Sequence, residues 1–345
     1  MASISALAVQ NIRSYQLKDI QLSPNVTVIT GANGSGKTTL IEAVYIALQG
    51  SSFRGSDKDL LQQEKPWWKI DVILDDQKRT VSFDPSKTTG RKKFVIDGKI
   101  NYRLPAKLKY PIVLFEPDDL RLLQGSPQRR RQFIDRFISQ LNPQYGVALR
   151  KYERAMKQRN TLLKNPLTKD EQLFVWDISL SEHGAYIIEQ RIAFIEKLNQ
   201  QLEGAYQDIS HTKDEISIHY SHTMVGDLKQ KLLTDLENNH ARDRITGSTS
   251  TGPHRHDLLF EINHSPALSV ASRGEVRTIV LALKFIEVDI IEQLTGLKPI
   301  VLLDDVFSEL DESRQKALSE KTSGHQIIIT TTHTVSKKGF TQIRL

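Results

Sequence analysis

The stretch Gly31-Ala-Asn-Gly-Ser-Gly-Lys-Thr-Thr39 follows the apolar run Val26–Thr30 and precedes the helix-forming stretch LIEAVYIAL at 40–48. It fits the pattern Gly-x-x-x-x-Gly-Lys-Thr, in which backbone amides at a helix N-terminus wrap phosphate groups. A glycine-rich turn without a ligand is the alternative. The pattern predicts an α/β fold that binds the phosphates of a nucleotide. The predicted nucleotide-binding residues are Gly31, Ala32, Asn33, Gly34, Ser35, Gly36, Lys37, Thr38 and Thr39.

Within this loop, Lys37 can reach the β- and γ-phosphates, and the Thr38 hydroxyl can bind Mg²⁺. A second ligand for the metal is available near the end of the chain. The apolar run 300–303 is typical of a parallel strand buried on both faces, and Asp304 and Asp305 follow it. In a doubly wound sheet, a carboxylate at the carboxyl end of such a strand lies beside the phosphate loop. We therefore predict that Asp304 binds Mg²⁺ together with Thr38.

Asp305 is then placed to position or deprotonate the attacking water. An Asp-Asp turn without a metal is the alternative. A further strand, QIIITTTH, ends at His333, which is a candidate sensor of the γ-phosphate, although an exposed histidine at a strand end fits equally well. The candidate catalytic residues are Lys37, Asp304, Asp305 and His333.

The stretch ASRGEV begins at Ala271, ahead of an apolar-periodic helix. Ser272 and Glu275 have the spacing of a capping box, in which each side chain bonds the backbone amide of the other residue. Arg273 and Gly274 also present backbone N–H groups at the positive end of a helix, which can bind an anion. We predict that Ser272 and Gly274 contact a nucleotide held by a second copy of the chain, because two copies facing head to tail can each lend this site to the other.

Composition excludes several classes of protein. The chain has 345 residues, of which 39% are apolar, and this is enough for a substantial core and two lobes. It contains no cysteine, which excludes disulfides, thiolate metal sites and cysteine nucleophiles. No run reaches the ~18 apolar residues of a membrane span, and the first residues lack a secretory pattern, so we expect a cytoplasmic protein.

The N-terminal third is rich in predicted strands and includes a hairpin, FVIDGKI, with Asp97-Gly98 at its turn. From Ser126-Pro127, a favoured helix start, the pattern is helical to about residue 164 and again from about 169 to 208. The break KNPLTKD between these stretches predicts a short antiparallel helical hairpin.

Basic residues are concentrated in this helical region. Residues 129–164 contain ten lysines and arginines but only two acids, Asp135 and Glu153. Such an excess can follow the phosphates of a nucleic acid with little sequence preference. A solvated helix face whose arginines pair with acids elsewhere is the alternative. The candidate DNA contacts are Arg129, Arg130, Arg131, Arg150, Lys151 and Arg154.

Several of these motifs together resemble a known family. The phosphate loop, the stretch 272–275, the acid pair 304–305 and the stretch SELD at 308–311 resemble the phosphate loop, signature motif, metal-binding acids and D-loop of ABC-type ATPases. The segment PDDLRLLQGSPQRRRQFID at 117–135 closely resembles one in the RecF family, which comprises recombination and gap-repair ATPases related to SMC proteins. Further similar segments are SSFRGSDKDL at 51–60, TGPHRHDL at 251–258 and LLDDVFSELDESRQKAL at 302–318.

Three residues depart from these patterns. Glu275 stands where ABC ATPases usually have glutamine, and an acidic residue is expected at His256. Glu116 follows the strand that usually leads to the Q-loop glutamine.

The resemblance implies an ABC-type ATPase head, a mixed sheet with its phosphate loop, plus an inserted helical lobe. The implied parts are an ATPase lobe at 1–117, a helical lobe with the signature motif at 118–295, and the rest of the ATPase lobe at 296–345. It also implies a weak Mg²⁺-dependent ATPase that forms an ATP-dependent homodimer on double-stranded and gapped DNA, with RecR as partner and RecO and RecA in the same pathway. A transporter-coupled ATPase and a nucleotide-independent DNA-binding scaffold are the rival interpretations.

Overall fold

The structure is a computed structural model that describes residues 3–222, 226–333 and 339–345. Its strands are β1 (Ile4–Ile12), β2 (Tyr15–Gln21), β3 (Val26–Thr30), β4 (Trp68–Leu74), β5 (Gln77–Phe83), β6 (Lys92–Ile96), β7 (Lys99–Asn101), β8 (Ile112–Phe115), β9 (Ile216–Tyr220), β10 (Leu258–Ile262), β11 (Ser265–Pro266), β12 (Ile300–Asp304), β13 (Ile327–Thr331) and β14 (Phe340–Arg344). Its α-helices are α1 (Lys37–Gln49), α2 (Pro127–Leu141), α3 (Pro143–Leu163), α4 (Asp170–Ser210), α5 (Leu228–Asn238), α6 (His240–Thr246), α7 (Ala267–Val270), α8 (Arg273–Thr295) and α9 (Glu312–Lys321).

The chain divides into two compact units. The first comprises Met1–Leu120 and Glu287–Leu345, and the second comprises Arg121–Ile286, so the division falls within α8. In the described part of the chain, none of the helices combines the length and the apolarity that a membrane crossing requires.

A parallel five-stranded sheet forms the centre of the first unit. Its strand order is β14-β3-β13-β12-β8, and every neighbouring pair is parallel. All five residues of β12 are buried, as expected for a strand covered on both faces. Leu302 and Ile328 belong to the same core cluster as Leu40 and Ile41 of α1, so α1 covers one face of this sheet. The predicted buried parallel strand and the α/β class are therefore confirmed.

The first unit also contains an antiparallel six-stranded sheet of order β2-β1-β4-β5-β6-β7. Buried and accessible residues alternate most regularly in β4, where every second side chain from Trp68 to Leu74 is buried. The predicted hairpin is present as β6 and β7, in which Ile96 pairs with Lys99. Asp97 and Gly98 have φ of 49° and 73°, which suits the type I′ turn that an Asp-Gly pair favours.

The second unit is mainly helical and adds a three-stranded sheet of order β11-β10-β9. Helices α3 and α4 run antiparallel, since Asn142, just before α3, bonds Gln190 far along α4, whereas Arg159 near the end of α3 bonds Asp177. The predicted helical hairpin is thus confirmed.

The helical stretch predicted from Ser126 to about residue 164 is divided at Asn142 and Pro143. The Asn142 side chain accepts hydrogen bonds from the amides of Gln144 and Tyr145 and so caps α3. Ser126 occupies the capping position of α2, ahead of Pro127, but its side chain makes no capping hydrogen bond.

Candidate nucleotide-binding site

The phosphate loop of the first unit leads from β3 directly into α1. Gly36 precedes the helix with φ of 94°, a left-handed conformation that side chains other than glycine rarely adopt. A Cβ at this position would also lie 2.6 Å from the ring of Tyr15. Tyr15 Oη donates a hydrogen bond to the Ser35 carbonyl oxygen at 2.9 Å. The loop is therefore held from one side by Tyr15 and requires glycine at Gly36.

The start of α1 is open to an anion. No side chain caps this helix. Among the hydrogen bonds of the described residues, none satisfies the amides of Gly34, Gly36, Lys37 or Thr38, although the Ser35 amide bonds the Ala32 carbonyl oxygen. Convergent N–H groups at a positive helix end are the arrangement that binds phosphate. The loop therefore fits the phosphate groups that the sequence predicts.

Lys37 is the cation of this loop. The residue is 4% exposed, and its Nζ donates to the carbonyl oxygens of Gly31 at 3.0 Å and Ala32 at 3.2 Å. Its Nζ also lies 3.6 Å from Asp305 Oδ2. The ammonium group is thus fixed over the loop before any phosphate arrives.

Asp304 lies at the end of β12, as the sequence predicts, and its carboxylate contacts the hydroxyl of Thr38. Thr38 Oγ1 donates to Asp304 Oδ1 at 2.9 Å, and Thr330 Oγ1 of β13 donates to the same oxygen at 2.8 Å. Burial raises the pKa of the Asp304 carboxyl group, and Asp305 adds to this effect, whereas the two threonine hydrogen bonds and the charge of Arg54 oppose it. A carboxylate and a hydroxyl side by side are ligands that Mg²⁺ accepts, so Asp304 and Thr38 would fit a Mg²⁺ ion.

The other two candidate catalytic residues have different surroundings. Asp305 has φ of 52°, and its amide is held by Thr330 Oγ1 at 2.9 Å. This turns its partly exposed carboxylate toward Lys37. His333 lies two residues beyond β13 and is exposed, with its amide bonded to Thr331 Oγ1 at 3.2 Å. Their roles in hydrolysis stay predictions.

The predicted capping box at Ser272 is present in the second unit. The Ser272 amide donates to Glu275 Oε2 at 2.6 Å, and the Glu275 amide donates to Ser272 Oγ at 3.2 Å. The hydroxyl and the carboxylate at the start of α8 therefore satisfy backbone groups of their own helix.

The comparisons with known proteins agree with this geometry. A model of the AAA domain family matches residues 6–250. The DNA replication and repair protein RecF of Clostridium perfringens strain SM101 is 35% identical over 335 residues, covering 95% of this chain and 92% of the relative. The protein of the same name from Streptococcus suis strain 05ZYH33 is 38% identical over 342 residues, with 95% and 92% covered.

The chain belongs to the RecF family. A solved structure of the recombination mediator protein RecF with ATP, in the RecFOR pathway, has a TM-score of 0.85 and 30% identity, and the match covers 99% of this chain and 95% of that one. The Smc head domain of Pyrococcus furiosus has a TM-score of 0.51 at 17% identity, covering 96% and 90%. The predicted fold of an ABC-type ATPase head is thus confirmed.

The arginines of α2 in this RecF-family chain are not all available to DNA. Arg130 is 7% exposed and forms a two-bond ion pair with Asp257, with both distances 2.7 Å. Its remaining nitrogen bonds the carbonyl oxygens of Leu123 and Gly125. The guanidinium group of Arg130 is therefore committed to the fold, and its contact with DNA stays a prediction.

The other two candidate DNA contacts on α2 are half-buried. Arg131 donates from Nη1 to the His256 carbonyl oxygen at 2.7 Å. Arg129 also has an interaction partner. Further along the basic run, Arg159 is fully buried between Asp177 and Asp243. Arg130 and Arg159 thus pair with acids elsewhere in the fold, as the alternative interpretation expects, but both are buried rather than on a solvated face.

The candidate DNA contacts on α3 differ from those on α2. Arg150, Lys151 and Arg154 are exposed, and among the described residues none of the three forms an ion pair. These three candidate DNA contacts have the exposure that contact with phosphates requires.

Sequence reasoning missed Thr330 and Tyr15. Thr330 lies in the apolar run IIITT, and only its pairing opposite Asp304 in the parallel sheet gives it a role. Tyr15 lies 16 residues before Gly31 in an unremarkable strand pattern, and no local signal connects it with the loop.

Proposed function

We propose that this RecF-family chain binds ATP with Mg²⁺ at the phosphate loop and uses the nucleotide to control dimerisation and DNA binding. The observation that carries the proposal is the arrangement around Thr38. Its hydroxyl bonds Asp304, whose carboxylate is also held by Thr330, while Lys37 lies over amides that have no protein acceptor among the described residues.

Each group has a definite task in this proposal. Thr38 and Asp304 would hold the metal, which when bound neutralises phosphate charge. Lys37 would exchange its carbonyl partners for phosphate oxygens, and Asp305 would orient the water that attacks the γ-phosphate. Slow hydrolysis suits a protein that uses ATP to time binding rather than to process a substrate.

Dimerisation would bring a second anion site to the nucleotide. Ser272 of the partner subunit and Gly274 of the partner subunit would face the γ-phosphate. In the single chain, Glu275 bonds the Ser272 amide, and its carboxylate would repel a phosphate. The proposal therefore requires that Glu275 stay folded back or move aside when the dimer closes.

DNA would bind to the exposed basic face of α3. Support comes from Arg150, Lys151 and Arg154 and from the relatives, which are DNA replication and repair proteins. By the same resemblance we propose double-stranded DNA near single-strand gaps as the ligand, RecR as a partner, and RecO and RecA as members of the same pathway.

The test is DNA binding with ATP, with ADP and without nucleotide, each at two salt concentrations. We expect tight binding with ATP alone, which is lost in Lys37→Met because the loop loses its cation. Ser272→Arg should still bind ATP but should fail to dimerise. Equal DNA affinity in all three nucleotide conditions would instead favour the nucleotide-independent scaffold. A dimer of Ser272→Arg as stable as the wild type would refute the shared site.

A further inference from the structure

The first unit contains a second strongly basic stretch, residues 87–109, which we call the basic segment. It includes β6 and β7 and contains only one acid, Asp97. Its basic residues are Lys87, Arg91, Lys92, Lys93, Lys99, Arg103, Lys107 and Lys109. A local excess of this size on a folded surface attracts polyanions.

The fold gathers these residues at one edge of the six-stranded sheet. Strand β7 is the last strand of that sheet, and Phe94 pairs there with Asn101, whose next residue along the chain is Tyr102. A Cβ at Gly90 would lie 2.6 Å from the Tyr102 ring, which shows that the loop before β6 lies against this ring. The basic residues of the loop and of the two strands are therefore neighbours.

Most of these cations are exposed. Lys92 is the contrast, because its Nζ bonds Asp57 and lies 5.7 Å from the centre of the Trp68 ring. Lys99, Arg103 and Lys107 are exposed, and among the described residues they form no ion pair. Tyr102 is 66% exposed beside them. Free cations around an accessible aromatic ring are typical of surfaces that bind nucleic-acid phosphates and stack bases.

Leu104 of the basic segment and Tyr110, which directly follows the segment, hold the end of the phosphate-loop helix. The Tyr110 amide donates to the Leu48 carbonyl oxygen at 3.2 Å, and Gln49 Nε2 donates to the Tyr110 carbonyl oxygen at 2.7 Å. Leu104 packs so closely on Gly50 that a Cβ there would lie 3.1 Å from Leu104 Cβ. Helix α1 has 13 residues, a length of about 20 Å, and its other end is the phosphate loop.

We propose that the basic segment binds nucleic-acid phosphates and that α1 transmits this binding to the phosphate loop. The inference rests on the proposed ATP and DNA binding, and it assigns a DNA contact to the unit that holds the nucleotide. A rigid helix attached at one end to the basic segment and at the other to Lys37 and Thr38 gives DNA and ATP a direct route of reciprocal influence.

The contact is tested with two double variants of equal net charge. Lys99→Glu/Arg103→Glu changes the basic segment, and Lys18→Glu/Lys316→Glu places the same change on β2 and α9. With ATP and a gapped duplex, we expect the first variant to lose at least about tenfold in DNA affinity relative to the second. Its slope of log affinity against log salt should fall by about 2, because two phosphate contacts are lost.

The transmission is tested without altering charge. Gln49→Leu removes the hydrogen bond to Tyr110 and leaves every basic residue in place. We expect it to bind DNA as the wild type does, but to lose the change in affinity for a non-hydrolysable ATP analogue that duplex DNA causes. Leu104→Val, which loosens the contact with Gly50, should lose part of that change. Unfolding by urea shows whether each variant is folded.

The outcomes separate the two proposals. If the wild type binds no DNA in any nucleotide state, the proposed function fails. If the wild type binds DNA with ATP and the two double variants behave alike, only the contact at the basic segment is overturned. If Gln49→Leu keeps the full DNA effect on analogue affinity, the role of α1 is overturned.

Discussion

Helices α1 and α8 both begin with residues predicted to bind phosphate, but their first turns differ. The α1 start has glycine at the cap and no side-chain hydrogen bond. The α8 start is closed by Ser272 and Glu275, each bonded to the amide of the other. An anion can enter the first without displacing a protein group, whereas the second already has its own acceptors.

This difference indicates which of the two sites would bind phosphate first. The open start of α1 is prepared for a nucleotide in the single chain, because its amides and Lys37 are already in position. At the closed start of α8, Glu275 and Ser272 already accept hydrogen bonds from backbone amides, so an anion would add less stabilisation there. In the proposed mechanism, a shared site would therefore form after the nucleotide is bound, and dimerisation would depend on ATP.

Gly36→Ala, at the open start of α1, should cause the largest loss of stability among these variants. Alanine at Gly36 would need φ near 94° and would bring its Cβ to 2.6 Å from the Tyr15 ring. Gly34→Ala is the matched control, because Gly34 has φ of 81° but no atom within 4 Å of the added Cβ. We expect Gly36→Ala to lose about 3–4 kcal/mol in free energy of unfolding by urea and Gly34→Ala about 1–2 kcal/mol. Equal losses would mean that Tyr15 does not constrain the loop.

Ser272→Ala should have a smaller effect, at the other helix. It removes the acceptor of the Glu275 amide, and loss of such a cap costs about 1 kcal/mol of stability. Ser272→Asn keeps a capping oxygen and should stay within about 0.5 kcal/mol of the wild type. Urea unfolding measures both. If Ser272→Ala costs nothing, the closed start of α8 is not a stabilising feature, and the contrast with α1 disappears.

The sequence predicted both helix starts because the motifs that mark them are local. The glycine spacing at 31–36 and the Ser-x-x-Glu spacing at 272–275 each describe one helix start, and the structure shows both as expected. The basic run at 129–164 was less informative, because the partner of Arg130, Asp257, is 127 residues away. Thr330 was missed for the same reason, since its partner Asp304 lies on a neighbouring strand. Charge and motif can be read from neighbours in sequence, but not which side chains become partners in the fold.

Glu275→Gln separates the cap from its charge. Glutamine can still accept the hydrogen bond from the Ser272 amide, so stability should change by less than about 0.5 kcal/mol. The repulsion between this position and a partner's γ-phosphate would be removed. We expect the ATP-dependent dimer to tighten by about three- to tenfold, measured by sedimentation with a non-hydrolysable analogue. A weaker dimer would show that the carboxylate contributes favourably to the interface.

The last prediction concerns the pH dependence of Mg²⁺ affinity and of stability, and both should change least near neutral pH. Burial raises the pKa of Asp304 above its usual 3.8, so protonation begins at a higher pH than for an exposed aspartate. Mg²⁺ competes with that proton, and its affinity should therefore fall as the pH is lowered toward the raised pKa. The stability of the metal-free protein has the opposite pH dependence. Because the pKa of Asp304 is higher in the folded than in the unfolded protein, the free energy of unfolding decreases as the pH rises through the folded pKa. Asp304→Asn keeps an acceptor for Thr38 and Thr330 but should abolish both dependences. Mg²⁺ titrations of the nucleotide-bound protein and urea unfolding of the metal-free protein, each from about pH 4 to pH 8, measure them. A wild type whose Mg²⁺ affinity matches that of Asp304→Asn would mean that this buried carboxylate is not a metal ligand, and the open start of α1 would then bind its phosphates without it.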